Sequence, residues 1–106
     1  MPEVNPSAAA ACLRRFQEYG DTEDLAQYVR LSGGDTARYE AAVRLLEPVF
    51  DPLGHGEYPR YGDLDRQRMR GYEAEIRSIA GWMAASEKAD LSGAGTALLG
   101  LLDAKS

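Results

Sequence analysis

The sequence predicts an all-α domain, on three observations. Apolar residues recur at intervals of three and four, which places them on one face of a helix. Helix-capping residues stand at the segment boundaries, and runs of alternating apolar and polar residues typical of strands are rare. We therefore predict one compact domain over residues 1–106. It has four to five helices, with one long helix in the C-terminal half and a Pro/Gly-rich loop at about 48–63.

The first helix is predicted to begin at Asn5 or Ser7 and to end near residue 20. Asn5 is a good N-cap, and Pro6 occupies the first helical position, where its missing N–H has no consequence. Gly20 is the expected stop. Five residues fall on one face of this helix: Ala9, Cys12, Leu13, Phe16 and Tyr19.

Two further helices follow in the first half of the chain. The second begins near residue 21 and ends at Gly33-Gly34, a strong helix-breaking pair. The third is capped by Asp35 or Thr36, and Pro48 prevents it from continuing far.

The longest helix is predicted from about Leu64 to Ser86, with Asp63 as its cap. Its apolar residues alternate at spacings of three and four, which is typical of a helix-bundle seam. The seam residues are Met69, Tyr72, Ile76, Ile79 and Met83. Trp82 lies beside the seam, and we expect it to pack in the core, with an interface anchor as the alternative.

A leucine-rich last helix is predicted from Ser92 or Thr96 to Ala104. It holds four leucines within five positions, Leu98, Leu99, Leu101 and Leu102. One domain of this size does not necessarily cover all of them, and exposed apolar patches mark association sites. A homodimer through this helix or the long helix is therefore one expectation.

Composition restricts the class of protein. The 106 residues are 44% hydrophobic and 27% charged, which indicates a globular chain. A single cysteine cannot form an internal disulfide, and the start of the chain lacks the pattern of a signal peptide, so we expect a cytoplasmic protein without a membrane segment. The net charge of −5 makes broad nucleic-acid binding the weaker expectation.

The segment DPLGHGEYPRYGDLD, which starts at Asp51, is the most unusual part of the chain. It holds the only histidine together with two prolines, three glycines and two tyrosines. Its prolines and glycines predict a connector between helices, with the tyrosines lying over the end of the bundle. The same residue types suit a recognition loop, since tyrosine and arginine are enriched at binding hot spots. The candidate partner-binding residues of this segment are His55, Glu57, Tyr58, Arg60 and Tyr61.

The residues of this segment do not favour catalysis or metal binding. No serine or cysteine stands near His55 as a nucleophile, and one histidine with scattered carboxylates is not a zinc pattern. We therefore predict no catalytic residue, no metal and no cofactor. A small ligand-binding domain or enzyme around His55 is retained as the last alternative, and it would require a deep pocket beside that residue.

A second candidate site is the stretch LAQYVRLSGGDTARY, residues 25–39, which resembles a helix-turn-helix in outline. That resemblance implies a DNA-binding regulator using residues 25–44, with Thr36 and Arg38 toward the bases and Arg44 toward phosphate. Asp35, Glu40 and Glu47 would oppose such contacts.

A third candidate is the basic cluster at the start of the long helix. Helical spacing places Arg66 and Arg70 on one side, where they could bind an acidic group of a partner, with Arg68 turned away. The alternative is a solvated helix face balanced by Asp63 and Asp65.

The function favoured by these observations is a non-enzymatic, acidic protein-interaction module. It would act as an adaptor, inhibitor or assembly factor, presenting a helical face and the 51–63 loop to a macromolecular partner. Small acidic helical proteins that adapt or neutralise a larger machine, phage-encoded ones included, are similar in size and charge. Helix-turn-helix DNA binding is the first alternative.

Overall fold

The chain folds as a succession of helices joined by short turns. The structure is a computed structural model that describes residues 5–103, and within that range it contains α-helices and one 3₁₀ turn but no strand. The helices are α1 (Pro6–Tyr19), α2 (Thr22–Leu31), α3 (Thr36–Leu45), α4 (Glu47–Gly54), α5 (Arg66–Arg70), α6 (Glu73–Ala84) and α7 (Ala89–Asp103), and the 3₁₀ turn covers Tyr61–Asp63. The all-α fold class is confirmed. The described helices outnumber the predicted four to five because the long helix is divided and the predicted loop contains a helix.

The caps of the first three helices are those expected from the sequence. The Asn5 side chain accepts a hydrogen bond from the Ala8 N–H at 3.1 Å, and the Asp21 side chain accepts one from the Glu23 N–H at 2.9 Å. Asp35 caps α3 in the same way. Gly20 ends α1 in the left-handed region, at φ 72°, which favours glycine.

The predicted long helix, Leu64 to Ser86, is wrong as a single element. A turn at Gly71 and Tyr72 separates α5 from α6. Asp65, rather than Asp63, caps α5, since its side chain accepts a hydrogen bond from the Arg68 N–H at 3.1 Å. The turn is held from outside by Arg38 of α3, whose guanidinium donates a hydrogen bond to the Gly71 carbonyl oxygen. The apolar spacing could not reveal this break because the turn keeps the seam residues on one side.

The predicted loop at 48–63 is also shorter than expected. α4 extends to Gly54 with Pro48 in its first turn and Pro52 in its interior, so the irregular part of the connector is residues 55–60. The last helix starts at Ala89, before the predicted Ser92 or Thr96, and its predicted end at Ala104 lies outside the described residues.

A single cluster of buried apolar residues joins the helices. Phe16 of α1, Leu46 between α3 and α4, Ile76 of α6 and Leu98 of α7 are each 0% exposed and belong to it. The seam residues Met69, Ile79 and Met83 are buried as predicted.

α6 and α7 pack closely because Gly95 has no side chain. A Cβ at Gly95 would lie 2.4 Å from the Ala84 backbone nitrogen and 2.5 Å from the Ala80 carbonyl oxygen. The two helix backbones are thus in direct contact, and this approach holds α7 against the core.

Trp82 joins three helices through its ring. It meets Tyr28 of α2 edge-on at a centroid distance of 4.9 Å and stacks with Tyr39 of α3 at 5.9 Å. The expectation that Trp82 packs against the core is confirmed.

Several residues that the apolar spacing places on core-facing sides of helices are less buried than Phe16. Tyr19, on the same face of α1 as Phe16, is 69% exposed. Cys12, also on that face, is only partly covered. Leu99, Leu101 and Leu102 are partly buried and pack on the core, so α7 leaves less apolar surface than its sequence suggested. The homodimer stays a prediction.

Candidate functional site

The connector, residues 55–60, folds back onto α4 through backbone hydrogen bonds. Pro52 lacks the N–H that would bond to the Pro48 carbonyl four residues earlier in a regular helix. That carbonyl instead accepts a hydrogen bond from the Arg60 N–H at 2.9 Å, while the Pro52 carbonyl accepts one from the Glu57 N–H at 2.7 Å. Gly56 supplies the reversal at φ 73°. Pro48, Pro52 and Gly56 therefore fix the path of the connector. Pro52 and the glycines were expected to set its turns, whereas the contribution of Pro48 was not predicted.

An open cleft of about 430 Å³ lies between this connector and the start of α7. We call it the connector cleft. Its walls include Glu57, Tyr58 and Tyr61 from the connector side and Asp90 from the first turn of α7. The cleft thus brings together three of the residues predicted for partner binding.

The two tyrosines of the cleft differ in their environments. Tyr58 is 92% exposed, so the prediction that it lies over the bundle end is wrong for this residue. Tyr61 is half-buried against the core, and its burial raises the pKa of the phenol above its ordinary value. Tyr61 therefore anchors the connector, while Tyr58 offers its ring to solvent.

The remaining predicted partner-binding residues lie outside the cleft walls. His55 is exposed at the end of α4, with Nδ1 2.9 Å from the Asp51 carbonyl oxygen. Arg60 pairs with Asp63 at 3.1 Å. Arg66 donates to the Leu101 carbonyl oxygen at 3.1 Å, and Arg70 is exposed on α5. The structure does not bring these four residues together with the cleft.

Asp90 is the cleft residue that the sequence did not indicate. It lies some thirty residues from the connector, in a segment expected to precede the last helix. Only the extension of α7 back to Ala89 carries it to the cleft. The local signal near it is a turn just before α7, in which the Ser86 hydroxyl accepts a hydrogen bond from the Lys88 N–H.

The candidate DNA-binding residues have separate roles in the structure. Arg38 forms an ion pair with Glu75 at 3.1 Å and lies over the Tyr72 ring at 4.7 Å from its centroid. Thr36 and Arg44 line a groove between α2 and α3. Along α3 the exposed Glu40 stands between Arg38 and Arg44. The exposed charges of this helix therefore alternate in sign and do not form the positive stripe that the DNA-binding hypothesis predicts.

The groove between α2 and α3 has a volume of about 230 Å³ and mainly apolar walls. Its floor includes Leu25 and Val29, which are already buried in the core. Its polar residues include Glu23, Glu40 and Arg44, which carry both signs of charge. The groove therefore shows no preference for one kind of occupant.

Two kinds of feature are absent within residues 5–103. No group of three or more His, Cys, Asp or Glu side chains is arranged to hold a metal ion. No helix in this range has the length and apolar character needed to cross a membrane.

Comparison with protein-family models, with curated proteins and with solved structures finds no match to this chain.

Proposed function

We propose that this chain is a non-enzymatic, acidic helical module that binds a protein partner through the connector cleft, as an adaptor, inhibitor or assembly factor. One observation carries the proposal: Tyr58 leaves 92% of its surface in solvent beside a cleft. Tyrosine is enriched among residues that dominate binding energy, because its large ring buries apolar area while its hydroxyl forms a hydrogen bond.

The rigidity of the connector supports this proposal. Glu57 and Arg60, on either side of Tyr58, are tied to α4 by their hydrogen bonds to the Pro52 and Pro48 carbonyls. A contact surface that is ordered before binding loses less conformational entropy when a partner docks. The tyrosine ring is thus presented on a fixed loop rather than on a mobile one.

The test is affinity capture of the tagged protein from a lysate of its source organism, with and without nuclease, read by mass spectrometry. We expect a defined protein partner that survives nuclease treatment. Tyr58→Ala should weaken its recovery by about tenfold or more, since hot-spot truncations cost about 2 kcal/mol or more. The test does not include a change at Arg60, because this residue is paired with Asp63 and does not line the cleft.

Tyr19→Ala is the matched control because Tyr19 is the other large exposed aromatic residue. It should leave capture unchanged, and both variants should keep the melting curve of the parent protein. Full recovery of the partner by Tyr58→Ala would contradict the proposed surface. Recovery that requires nucleic acid would instead favour the DNA-binding alternative at residues 25–44.

A further inference from the structure

We infer that the connector cleft receives a cationic side chain, an arginine or lysine from a basic segment of the partner. The inference rests on the proposed function and specifies the chemistry of the partner. It depends on three features of the cleft: its carboxylates, the absence of lysine and arginine from its lining residues, and its tyrosine rings.

The ionisable groups that line the cleft favour a cation. Glu57 and Asp90 contribute carboxylates, and no lysine or arginine stands among the lining residues. Both acidic residues are exposed, so neither is consumed by core packing. The chain as a whole carries a net charge of −5, which adds a long-range attraction for basic partners.

The cations nearest in sequence do not line the connector cleft. Arg60 is paired with Asp63 at 3.1 Å. Lys88, two residues before Asp90, lines a different cleft beside α1. The positive end of the α7 helix dipole is equivalent to about half a charge, which two carboxylates outweigh.

The tyrosine rings supply the second element of cation recognition. An arginine or lysine over an aromatic face is attracted by the ring quadrupole, and a neighbouring carboxylate adds a charge-assisted hydrogen bond. The protein already uses this combination internally. Arg38 lies 4.7 Å from the centroid of the Tyr72 ring and 3.1 Å from the Glu75 carboxylate. The connector cleft is lined by groups of the same two kinds, the Tyr58 ring and the Glu57 carboxylate.

The test is an NMR titration of the ¹⁵N-labelled full chain with the peptide acetyl-Gly-Gly-Arg-Gly-Gly-amide. The comparison probe is the same peptide with citrulline, which keeps the shape of arginine and lacks its charge. We expect the arginine peptide to shift the amide signals of Glu57, Tyr58 and Asp90 saturably, and to lose affinity as salt is raised. The citrulline peptide should produce no saturable shift at these amides.

The double variant Glu57→Gln with Asp90→Asn should weaken the arginine peptide by about tenfold, because it removes both charged acceptors. The matched control is Glu23→Gln with Glu40→Gln, which changes the net charge by the same amount in the α2–α3 groove. This control should change the affinity by less than about twofold. Equal weakening by both double variants, or equal binding of both peptides, would overturn the inference.

The two proposals fail in different ways. If Tyr58→Ala abolishes capture of the partner while the arginine peptide leaves the cleft amides unmoved, the docking surface stands and the cation inference is wrong. If the arginine peptide binds at the cleft while Tyr58→Ala retains the partner fully, the proposed function is wrong.

Discussion

At the scale of single residues, Gly95 sets the distance between α6 and α7. Adding a methyl group there brings it within 2.5 Å of two backbone atoms, Ala84 N and Ala80 O, which cannot move as a flexible side chain would. Gly95→Ala should therefore lower the free energy of unfolding by about 2 kcal/mol or more, in spite of the higher helix propensity of alanine. Urea unfolding followed by circular dichroism measures this change.

Gly100→Ala is the control for that substitution. Gly100 lies in the same helix, and nothing stands within 4 Å of where its Cβ would be. At this position only the higher helix propensity of alanine over glycine acts, so the free energy of unfolding should rise by up to about 1 kcal/mol. A rise in the free energy of unfolding in both variants would mean that α6 and α7 are not in close contact at Gly95.

At the scale of elements, the joint between α5 and α6 depends on Arg38 and Glu75. The hydrogen bond from Arg38 holds the pKa of the Glu75 carboxyl below its ordinary value. Burial of the carboxyl raises this pKa, and a hydrogen bond from the Glu75 backbone N–H lowers it further. A carboxyl whose pKa is depressed by folding stabilises the protein above its unfolded pKa. That contribution is lost as the pH falls through the folded pKa.

Glu75→Gln should therefore lower the free energy of unfolding at neutral pH. The difference in this free energy between the variant and the parent protein should become smaller as the pH falls below about 4. Urea unfolding at pH 7 and pH 3.5 compares the two chains. Glu73→Gln, which affects an exposed pair with Arg77 at 4.0 Å, should cost roughly 0.5 kcal/mol or less at pH 7. If Glu75→Gln changed the free energy of unfolding equally at both pH values, the ion pair between Arg38 and Glu75 would not be the source of the effect.

The same joint shows which elements a sequence can predict. α1, α2 and α3 were predictable because each is bounded by local chemistry, such as Asn5, Gly20 and Asp35, acting within a few residues. The break at Gly71 depends on Arg38, which is over thirty residues away, so local spacing alone predicted one uninterrupted helix. α4 was missed because Pro52, usually a helix breaker, is accommodated when Arg60 takes over the carbonyl of Pro48.

The candidate site was predictable in part for the same reason. Glu57, Tyr58 and Tyr61 were identified because their composition is unusual and local. The exposure of Tyr58 and the burial of Tyr61 could not be distinguished, since both stand beside prolines or glycines in the same segment. Asp90 enters the cleft only through the packing of α7, which is a tertiary effect.

At the scale of the whole molecule, stability depends on one shared core, and Ile76 is at its centre. Its side chain is 0% exposed, within the cluster that joins α1, α3, α6 and α7. Ile76→Asp would bury a charge that has no partner and remove apolar contact, at a cost of about 4 kcal/mol or more. Domains of this size have only roughly 5–15 kcal/mol of stability, so most of it should be lost. Thermal melting by circular dichroism is the measurement.

Ala74→Asp places the same residue type on the exposed side of α6 and controls for the added negative charge. This variant should keep a cooperative melt close to that of the parent protein, because its carboxylate stays in water. If Ile76→Asp also melted cooperatively near the parent temperature, the inner face of α6 would be assigned incorrectly. Size-exclusion chromatography of the same samples tests the predicted homodimer. If the parent protein and Ala74→Asp both elute as dimers, the dimer interface lies outside this part of α6.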